Sequence, residues 1–137
     1  MLPDTITELN AQSISFTDNI TTTTIMNWLQ LTSEAQLEEL KKDSSTQPIL
    51  IFKHSTRCSI SSSTLNRLER NWNAEEMKNV KAYYLDLISF RSVSNAIEQL
   101  LGVEHQSPQA ILVKNGKASW NASHYDISYE EIKSALK

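Results

Sequence analysis

The chain has 137 residues, 13 basic and 16 acidic side chains and a formal net charge of -3, the size of one domain with a single core. It contains one cysteine and two glycines, too few for a disulfide framework, a CxxC redox pair, a four-cysteine metal site, a P-loop or a GxGxxG loop. The negative charge disfavours nucleic-acid binding, which requires neutralisation of phosphates.

Residues 1–23 are rich in Ser, Thr, Asn and Asp, with isolated apolar residues and no period. Such a segment buries too little surface to offset the entropy of ordering, so we expect a polar N-terminal tail, disordered or partly docked, before a domain at residues 24–137. The sequence shows no signal peptide and no apolar run long enough to cross a bilayer. We therefore expect a cytoplasmic protein without membrane or nucleic-acid partners, in a reducing compartment.

The first half of the domain alternates strand and helix signals. A short strand is predicted around residues 25–29, followed by a helix capped by Thr32 or Ser33. Residues 49–53 are nearly all apolar, as in a central strand covered on both faces. The loop at residues 54–58 then leads into a helix whose apolar residues recur at helical spacing.

The second half continues this alternation. Residues 81–88 predict a third strand, and the apolar stripe that follows predicts a helix ended by Gly102. Asn115-Gly116 between two apolar runs predicts a β-hairpin, and Ser128 with Glu131 predicts the capping box of a last helix. The order β-α-β-α-β-α-β-β-α indicates an α/β fold, with a central mixed sheet of four to five strands flanked by helices on both faces.

Cys58 is the main candidate for chemistry. It lies where a strand ends and a helix begins, and the unpaired N–H groups at such a place stabilise an anion. Arg57 and His54 are expected to add positive field, which favours a nucleophilic thiolate. The alternative is that Cys58 merely begins the helix and has no chemistry.

Ser61 occupies the position, three residues after Cys58, where a dithiol oxidoreductase carries its second cysteine. A hydroxyl cannot form a disulfide. Any mixed disulfide at Cys58 must therefore be resolved by a thiol from another molecule, so redox chemistry here has to follow a monothiol mechanism.

Several short motifs give the sequence a family resemblance. They are residues 52–61 (Phe-Lys-His-Ser-Thr-Arg-Cys-Ser-Ile-Ser), residues 84–87 (Tyr-Leu-Asp-Leu), Arg91, residues 107–109 (Ser-Pro-Gln) and residues 123–124 (Ser-His). In this order they resemble the YtxJ-type monothiol bacilliredoxins of the thioredoxin-like superfamily, over residues 28–137. The sequence departs from the family's frequent Thr-Cys-Pro-Ile-Ser, since Arg57 precedes the cysteine and Ser59 replaces the proline.

The resemblance implies a thioredoxin-like fold and the removal of bacillithiol from S-bacillithiolated proteins by thiol–disulfide exchange. It implies no bound cofactor or metal, and free bacillithiol as the thiol co-substrate. The nucleophile is Cys58, and its supporting residues are His54, Thr56, Arg57, Ser59 and Ser61. The implied substrate-binding residues are Arg91, Ser107, Pro108, Ser123 and His124, with Pro108 as a cis-proline that faces the nucleophile.

Two of these assignments have alternatives. Ser123 and His124 either bind the malyl carboxylates of bacillithiol or cap the last helix. From the residues alone, Pro108 fits equally an ordinary trans proline at the start of a strand. A zinc site that combines Cys58 with histidines has no supporting ligand spacing.

Other polar residues also have two readings. Arg91 either contacts the ligand or pairs with Asp86, and His54 is either a base or a satisfied loop residue. His105 is expected to orient the turn that contains Pro108. For the whole protein, the alternative to an enzyme is a non-catalytic thioredoxin-like adaptor or redox sensor, in which modification of Cys58 changes partner affinity without turnover.

Overall fold

The computed structural model describes residues 27–136. The elements, in chain order, are β1 (Leu29–Gln30), α1 (Glu34–Asp43), β2 (Ile49–His54), α2 (Ser59–Asn71), β3 (Lys81–Asp86), α3 (Arg91–Leu101), β4 (Gln109–Lys114), β5 (Lys117–Ser123), a 3₁₀ helix (His124–Asp126) and α4 (Tyr129–Ala135). This is the predicted order of strands and helices, with the short 3₁₀ helix added before α4. The predicted tail and the first residues of the predicted first strand lie outside the described residues.

The strands form one sheet in the order β1-β3-β2-β4-β5. β1 and β2 run parallel to β3, whereas β4 runs antiparallel to both β2 and β5. The predicted α/β architecture with a mixed sheet is therefore confirmed. Every residue of the central strand β2 is buried, which explains its nearly continuous apolar run.

The two faces of the sheet carry separate cores, because side chains alternate along each strand. Ile49 and Ile51 of β2 pack with apolar residues of α1 and α3. Leu50 and Phe52 pack with those of α2 and α4. Helices thus cover both faces, as predicted. Among the described residues, no helix is long and apolar enough to cross a membrane.

Local signals fix several element boundaries. Ser33 caps α1, and Ser128 caps α4 by accepting a hydrogen bond from the backbone N–H of Glu131 at 3.2 Å. Asn115 and Gly116 have φ angles of 52° and 76°, so the turn between β4 and β5 is of the type that suits a tight hairpin. The hairpin predicted from the Asn-Gly pair is present.

The ends of several strands differ from the prediction, and those of β3 and β5 have a clear physical reason. β3 ends at Asp86, because its carboxylate accepts hydrogen bonds from the backbone N–H groups of Ile88 and Ser89 at 3.2 and 3.3 Å and so turns the chain. β5 continues beyond Trp120, where the apolar run that predicted it ends, to Ser123, which pairs with Gln109. The hairpin is therefore long enough to carry its second strand back to the start of β4.

The strand register gathers the candidate residues at one end of the sheet. Residue 54 of β2 pairs with residue 86 of β3, and residue 53 pairs with residue 109 of β4, which in turn pairs with residue 123 of β5. The carboxyl ends of β2, β3 and β5 therefore lie beside the amino end of β4. The loop that leads to Cys58 and the turn that contains Pro108 both lie at this end.

Candidate active site

Cys58 is the N-cap residue of α2, with extended backbone angles (φ -114°, ψ 119°) and a partly exposed side chain. Its carbonyl oxygen accepts the first helical bond, from the N–H of Ser62 at 3.1 Å. The N–H groups of residues 59–61 therefore precede the hydrogen-bond ladder. The first turn holds no acidic side chain. These are surroundings that stabilise an anion at the start of the helix.

Ser61, which stands where a second cysteine would be, is fully buried in the first turn of α2. Its Oγ lies 2.7 Å from Nδ1 of His54 and accepts a hydrogen bond from the backbone N–H of Ser55 at 3.1 Å. These contacts join the start of α2 to the end of β2 and to the loop before Cys58. The hydroxyl therefore holds the loop that presents the thiol.

His54 is buried, and its ring lies against those of Phe52 and Tyr84, with centroid distances of 6.3 and 5.6 Å. Burial lowers the pKa of His54 below 6.5, although the charges of Asp86 and Glu69 oppose the shift. Burial therefore favours the neutral form of the imidazole. Burial of the ring argues against a positive field from His54 at the thiol, and this supporting role stays a prediction. In the structure the side chain is buried, and its Nδ1 contacts the hydroxyl of Ser61.

Three other predicted supporting residues, Thr56, Arg57 and Ser59, are exposed around the thiol. Arg57 directly precedes Cys58, and its guanidinium is exposed to solvent. Dissolved salt therefore screens the effect of this charge on the thiol. The fixed backbone donors at the start of α2 are the less screened source of positive field.

The substrate side of the predicted site is built around Pro108. The Ser107–Pro108 peptide bond is cis, and Pro108 is buried just before β4. Continuing the register of β2 and β4 by one residue places Pro108 opposite the last residue of β2. Its carbonyl oxygen accepts a hydrogen bond from the N–H of His124 at 3.0 Å. The structure thus brings Ser107, Pro108 and His124 to the end of the sheet where the Cys58 loop begins.

A contact that the sequence did not reveal joins α2 to the 3₁₀ helix. The guanidinium of Arg67 donates hydrogen bonds to the backbone carbonyls of Ile127 and Tyr125. It holds the segment after β5 against the helix that begins at Cys58. No motif marks Arg67, because its partners are main-chain oxygens far along the chain.

Ser123 is half-buried at the end of β5, whereas His124 is exposed and has a φ of 57°. The cleft beside Ser123 is also lined by Asp126 and Glu131, whose carboxylates disfavour an anionic ligand there. Carboxylate binding by Ser123 and His124 stays a prediction. The alternative role, capping the last helix, belongs to Ser128.

Arg91 is the first residue of α3 and is exposed. The predicted pair with Asp86 is not formed, because that carboxylate already accepts hydrogen bonds from two backbone N–H groups and the hydroxyl of Ser89. The ion pairs within residues 27–136 join other side chains. Contact of Arg91 with a ligand stays a prediction.

The turn before Pro108 is held differently from the prediction. Nδ1 of His105 lies 3.4 Å from Oγ of Ser94, so this ring reaches α3 rather than the turn. The side chain that reaches back over the turn is that of Gln109, whose amide donates to the carbonyl of Glu104 at 2.9 Å. The sequence analysis placed Gln109 in the Ser-Pro-Gln motif but gave its side chain no role.

Lys53 is a second residue whose setting the sequence did not reveal. Its side chain is fully buried, and within residues 27–136 its Nζ has no hydrogen-bond partner. Burial lowers the pKa of Lys53 from 10.5 to about 8, although the charge of Glu98 opposes the shift. In the sequence this residue is only the polar end of an apolar strand.

The described part of the chain assembles no metal centre. Across residues 27–136, no three side chains of His, Cys, Asp or Glu come together in a way that could hold a metal ion. His54 and His105 are instead engaged with the hydroxyls of separate serines.

Comparison with known proteins identifies relatives. A family model described as monothiol bacilliredoxin BrxC matches residues 29–132. A candidate oxidoreductase with a thioredoxin fold superposes with a TM-score of 0.67 and 27% identity, over 80% of this chain and 93% of that chain. Thioredoxin from Fasciola hepatica superposes with a TM-score of 0.62 and 18% identity, over 79% of this chain and 98% of that chain. Thioredoxin from Trypanosoma brucei brucei superposes with a TM-score of 0.64 and 14% identity, over 90% of this chain and 95% of that chain.

These matches agree with the geometry of the site. The two thioredoxins, at their low identity, show that the fold is the thioredoxin fold, as the resemblance implied. The family match spans Cys58, Pro108 and the strands that bring their loops together, and it supports a thiol redox function. The chain therefore belongs to the monothiol bacilliredoxin family.

Proposed function

We propose that this protein removes bacillithiol from S-bacillithiolated proteins by thiol–disulfide exchange at Cys58. One observation carries the proposal: the chain's one cysteine caps a helix, while the residue at the resolving position is a serine whose hydroxyl contacts His54. The site therefore has a nucleophile and no internal thiol to resolve it. Family membership supports bacillithiol as the external thiol.

In the first step, the thiolate of Cys58 attacks the bacillithiol sulfur of the protein mixed disulfide. A new disulfide forms between Cys58 and bacillithiol, the old disulfide breaks, and the protein sulfur leaves as a thiolate that takes a proton from solvent. The unpaired N–H groups at the start of α2 stabilise the attacking anion. No electrons are gained or lost overall in this exchange.

In the second step, the thiolate of a free bacillithiol attacks the bacillithiol sulfur of the adduct. Bacillithiol disulfide forms, and Cys58 leaves as a thiolate, ready for another cycle. Over both steps the protein sulfur has formally gained one electron, and the sulfur of one free bacillithiol has lost one. Each turnover consumes one free bacillithiol, and no bound metal or organic cofactor takes part.

We assign substrate binding to the end of the sheet beside the thiol. Ser107 and Pro108 border the Cys58 loop. Ser123 and His124 lie beside them, because the N–H of His124 donates a hydrogen bond to the carbonyl of Pro108. The exposed guanidinium of Arg91 adds a cation that suits the malyl carboxylates of bacillithiol. The need for a pool of reduced thiol suits the cytoplasm, which we propose as the compartment.

The test uses a purified S-bacillithiolated protein, excess free bacillithiol, and either the wild type or Cys58→Ser. Release of the reduced substrate is followed by mass spectrometry. The wild type should clear the adduct in many turnovers per enzyme molecule, whereas Cys58→Ser should match the rate without enzyme. Ser63→Ala is the matched control, since it changes an exposed serine of the same helix, and it should behave like the wild type.

Two outcomes would reject the enzyme. If the substrate keeps its adduct at the same rate with the wild type and with Cys58→Ser, the proposal is wrong. If Cys58 takes up bacillithiol but free bacillithiol does not restore it, the protein is the modified adaptor or sensor instead. A parallel assay uses the same substrate protein carrying glutathione, with excess free glutathione. We expect the rate of adduct removal to be higher with bacillithiol than with glutathione.

A further inference from the structure

The segment between α3 and β4 runs directly into Ser107 and Pro108. In the described part of the chain, the backbone of residues 104–107 makes no hydrogen bond to another backbone group. One of its side chains, His105, contacts Ser94 of α3 at the long distance of 3.4 Å. The secondary structure on either side therefore does not by itself fix the path of this segment.

The side chain of Gln109 supplies hydrogen bonds that hold this segment. This side chain is 1% exposed, its Nε2 donates to the carbonyl of Glu104 at 2.9 Å, and its Oε1 accepts from the N–H of Gln106 at 3.4 Å. The amide group carries both the donor that the carbonyl needs and the acceptor that the N–H needs. Gln109 is itself held firmly, because its backbone lies in β4 between Lys53 and Ser123.

This support acts beside the thiol. Residue 109 follows Pro108, and the register of β2 and β4 places this proline opposite the end of the strand that leads into the Cys58 loop. A peptide chain whose cysteine sulfur is attacked by Cys58 must pass over the surface around the thiol. The strand register places the Pro108 end of residues 104–108 on one side of the Cys58 loop. A small disulfide has no chain to lay against that side.

We propose that Gln109 is a positioning residue for exchange with protein disulfides: its amide holds residues 104–107 so that the Ser107–Pro108 turn receives the polypeptide that carries the sulfur. Gln109 acts through this segment and does not touch the reacting sulfurs. The inference rests on the proposed function for its biological meaning, but the surface it describes serves any polypeptide disulfide that Cys58 attacks.

The test compares two disulfides that release the same thionitrobenzoate anion. One is the symmetrical thionitrobenzoate disulfide, and the other is a cysteine peptide joined to thionitrobenzoate. In each case the Cys58 thiolate forms a disulfide with one sulfur and expels thionitrobenzoate, whose absorbance reports the rate in a single turnover. The proteins are the wild type, Gln109→Met, Gln109→Glu and the control Ile111→Val.

Gln109→Met keeps the shape of the side chain and loses both hydrogen bonds, whereas Gln109→Glu keeps an acceptor and loses the donor. Both should lower the ratio of the peptide rate to the small-disulfide rate at least about tenfold, because small misplacements at a reacting centre have large effects on rate. Ile111→Val changes a buried residue on the same face of the same strand and should leave the ratio unchanged. Urea unfolding of each variant identifies conditions under which all four proteins are folded.

An unchanged ratio in both folded Gln109 variants would overturn the inference. A ratio that falls equally in Ile111→Val would also overturn it, since the effect would then be general loosening of the core. If one Gln109 variant does not fold, the other carries the test. None of these rates involves bacillithiol, so the proposed function can fail in its own assay while the role of Gln109 stands, and the reverse is equally possible.

Discussion

Lys53 is a charged residue with no exposed surface and no hydrogen-bond partner among residues 27–136. Because burial lowers its pKa to about 8, the unfolded chain binds more protons than the folded protein between pH 8 and pH 10.5. The free energy of unfolding therefore rises with pH across this window. Below pH 8 both states are protonated, and the full penalty of the buried charge is present.

Replacement of this lysine should stabilise the protein. We expect Lys53→Met to raise the free energy of unfolding at pH 7 by up to about 3 kcal/mol, since each unit of pKa shift corresponds to roughly 1.4 kcal/mol. The gain should shrink as the pH rises from 8 to 10.5. Urea unfolding of the wild type and Lys53→Met at a series of pH values measures the difference in their free energies of unfolding. This difference separates the effect of Lys53 from that of other groups that titrate in the same pH range.

Lys81 on the neighbouring strand is the control. Its pKa is raised, mainly by its hydrogen bond to Asp43, and it is partly exposed. Lys81→Met should therefore change stability by at most about 1 kcal/mol, as expected for an exposed ion pair, and should not stabilise the protein. A Lys53→Met protein that is no more stable than the wild type at pH 7 would show that the buried amine finds a partner in solution.

Ser61 gives a second test, this time of the support below the thiol. Ser61→Ala leaves the N–H of Ser55 and the ring nitrogen of His54 without their partner. We expect a loss of about 1–3 kcal/mol in the free energy of unfolding, the usual effect of leaving a buried polar group unsatisfied. Urea unfolding measures it. The neighbouring exposed Ser62→Ala should change stability by less than about 0.5 kcal/mol, and equal effects of the two variants would contradict the role of Ser61.

These residues also show which properties the sequence concealed. Cys58 and Ser61 were predictable, because their spacing and their place at a strand-to-helix junction carry the information. The lowered pKa of His54, the buried amine of Lys53 and the loop contacts of Gln109 were not. Each depends on burial or on partners that only the folded chain supplies.

Helix α2 begins without acidic residues, although acidic side chains normally stabilise that end of a helix. This composition fits a helix start reserved for the anion of Cys58. We expect Ser59→Asp to stabilise the helix by about 0.3–1 kcal/mol. It should also slow alkylation of Cys58 by iodoacetamide at pH 7 about fivefold, because like charges roughly 4 Å apart in water repel by about 1 kcal/mol.

Ser63→Asp is the matched variant, since it introduces the same charge on an exposed residue one turn further along α2. Its alkylation rate should equal that of the wild type. Faster or unchanged alkylation in Ser59→Asp would show that the field at the start of α2 does not control the reactivity of the thiol.

The order of the elements was predictable from local signals alone. The alternation of apolar runs, the Asn115-Gly116 pair and the cap at Ser128 each specify structure within a few residues. The exact ends were less predictable. β3 stops at Asp86 because its carboxylate turns the chain, and β5 extends to Ser123 because β4 offers a partner that far.

The whole molecule brings together loops that are far apart in sequence. The mixed sheet places the end of β2 beside the start of β4, and so puts the Cys58 loop next to Pro108. Strand order is a tertiary property, and without the family resemblance the residues alone would not have joined these two loops. The tether from Arg67 to the segment after β5 was equally invisible, since it engages backbone carbonyls.

Because the chain has one thiol, the proposed catalysis has to depend on a second thiol from solution. The most direct test is intact-mass spectrometry of the enzyme during reaction with an S-bacillithiolated protein in the absence of free bacillithiol. The enzyme should release one reduced substrate per chain, stop, and carry one bacillithiol on Cys58, and added bacillithiol should then remove the adduct and restart turnover. Continued turnover without added thiol, or a substrate that keeps its adduct while Cys58 stays unmodified, would contradict the monothiol mechanism.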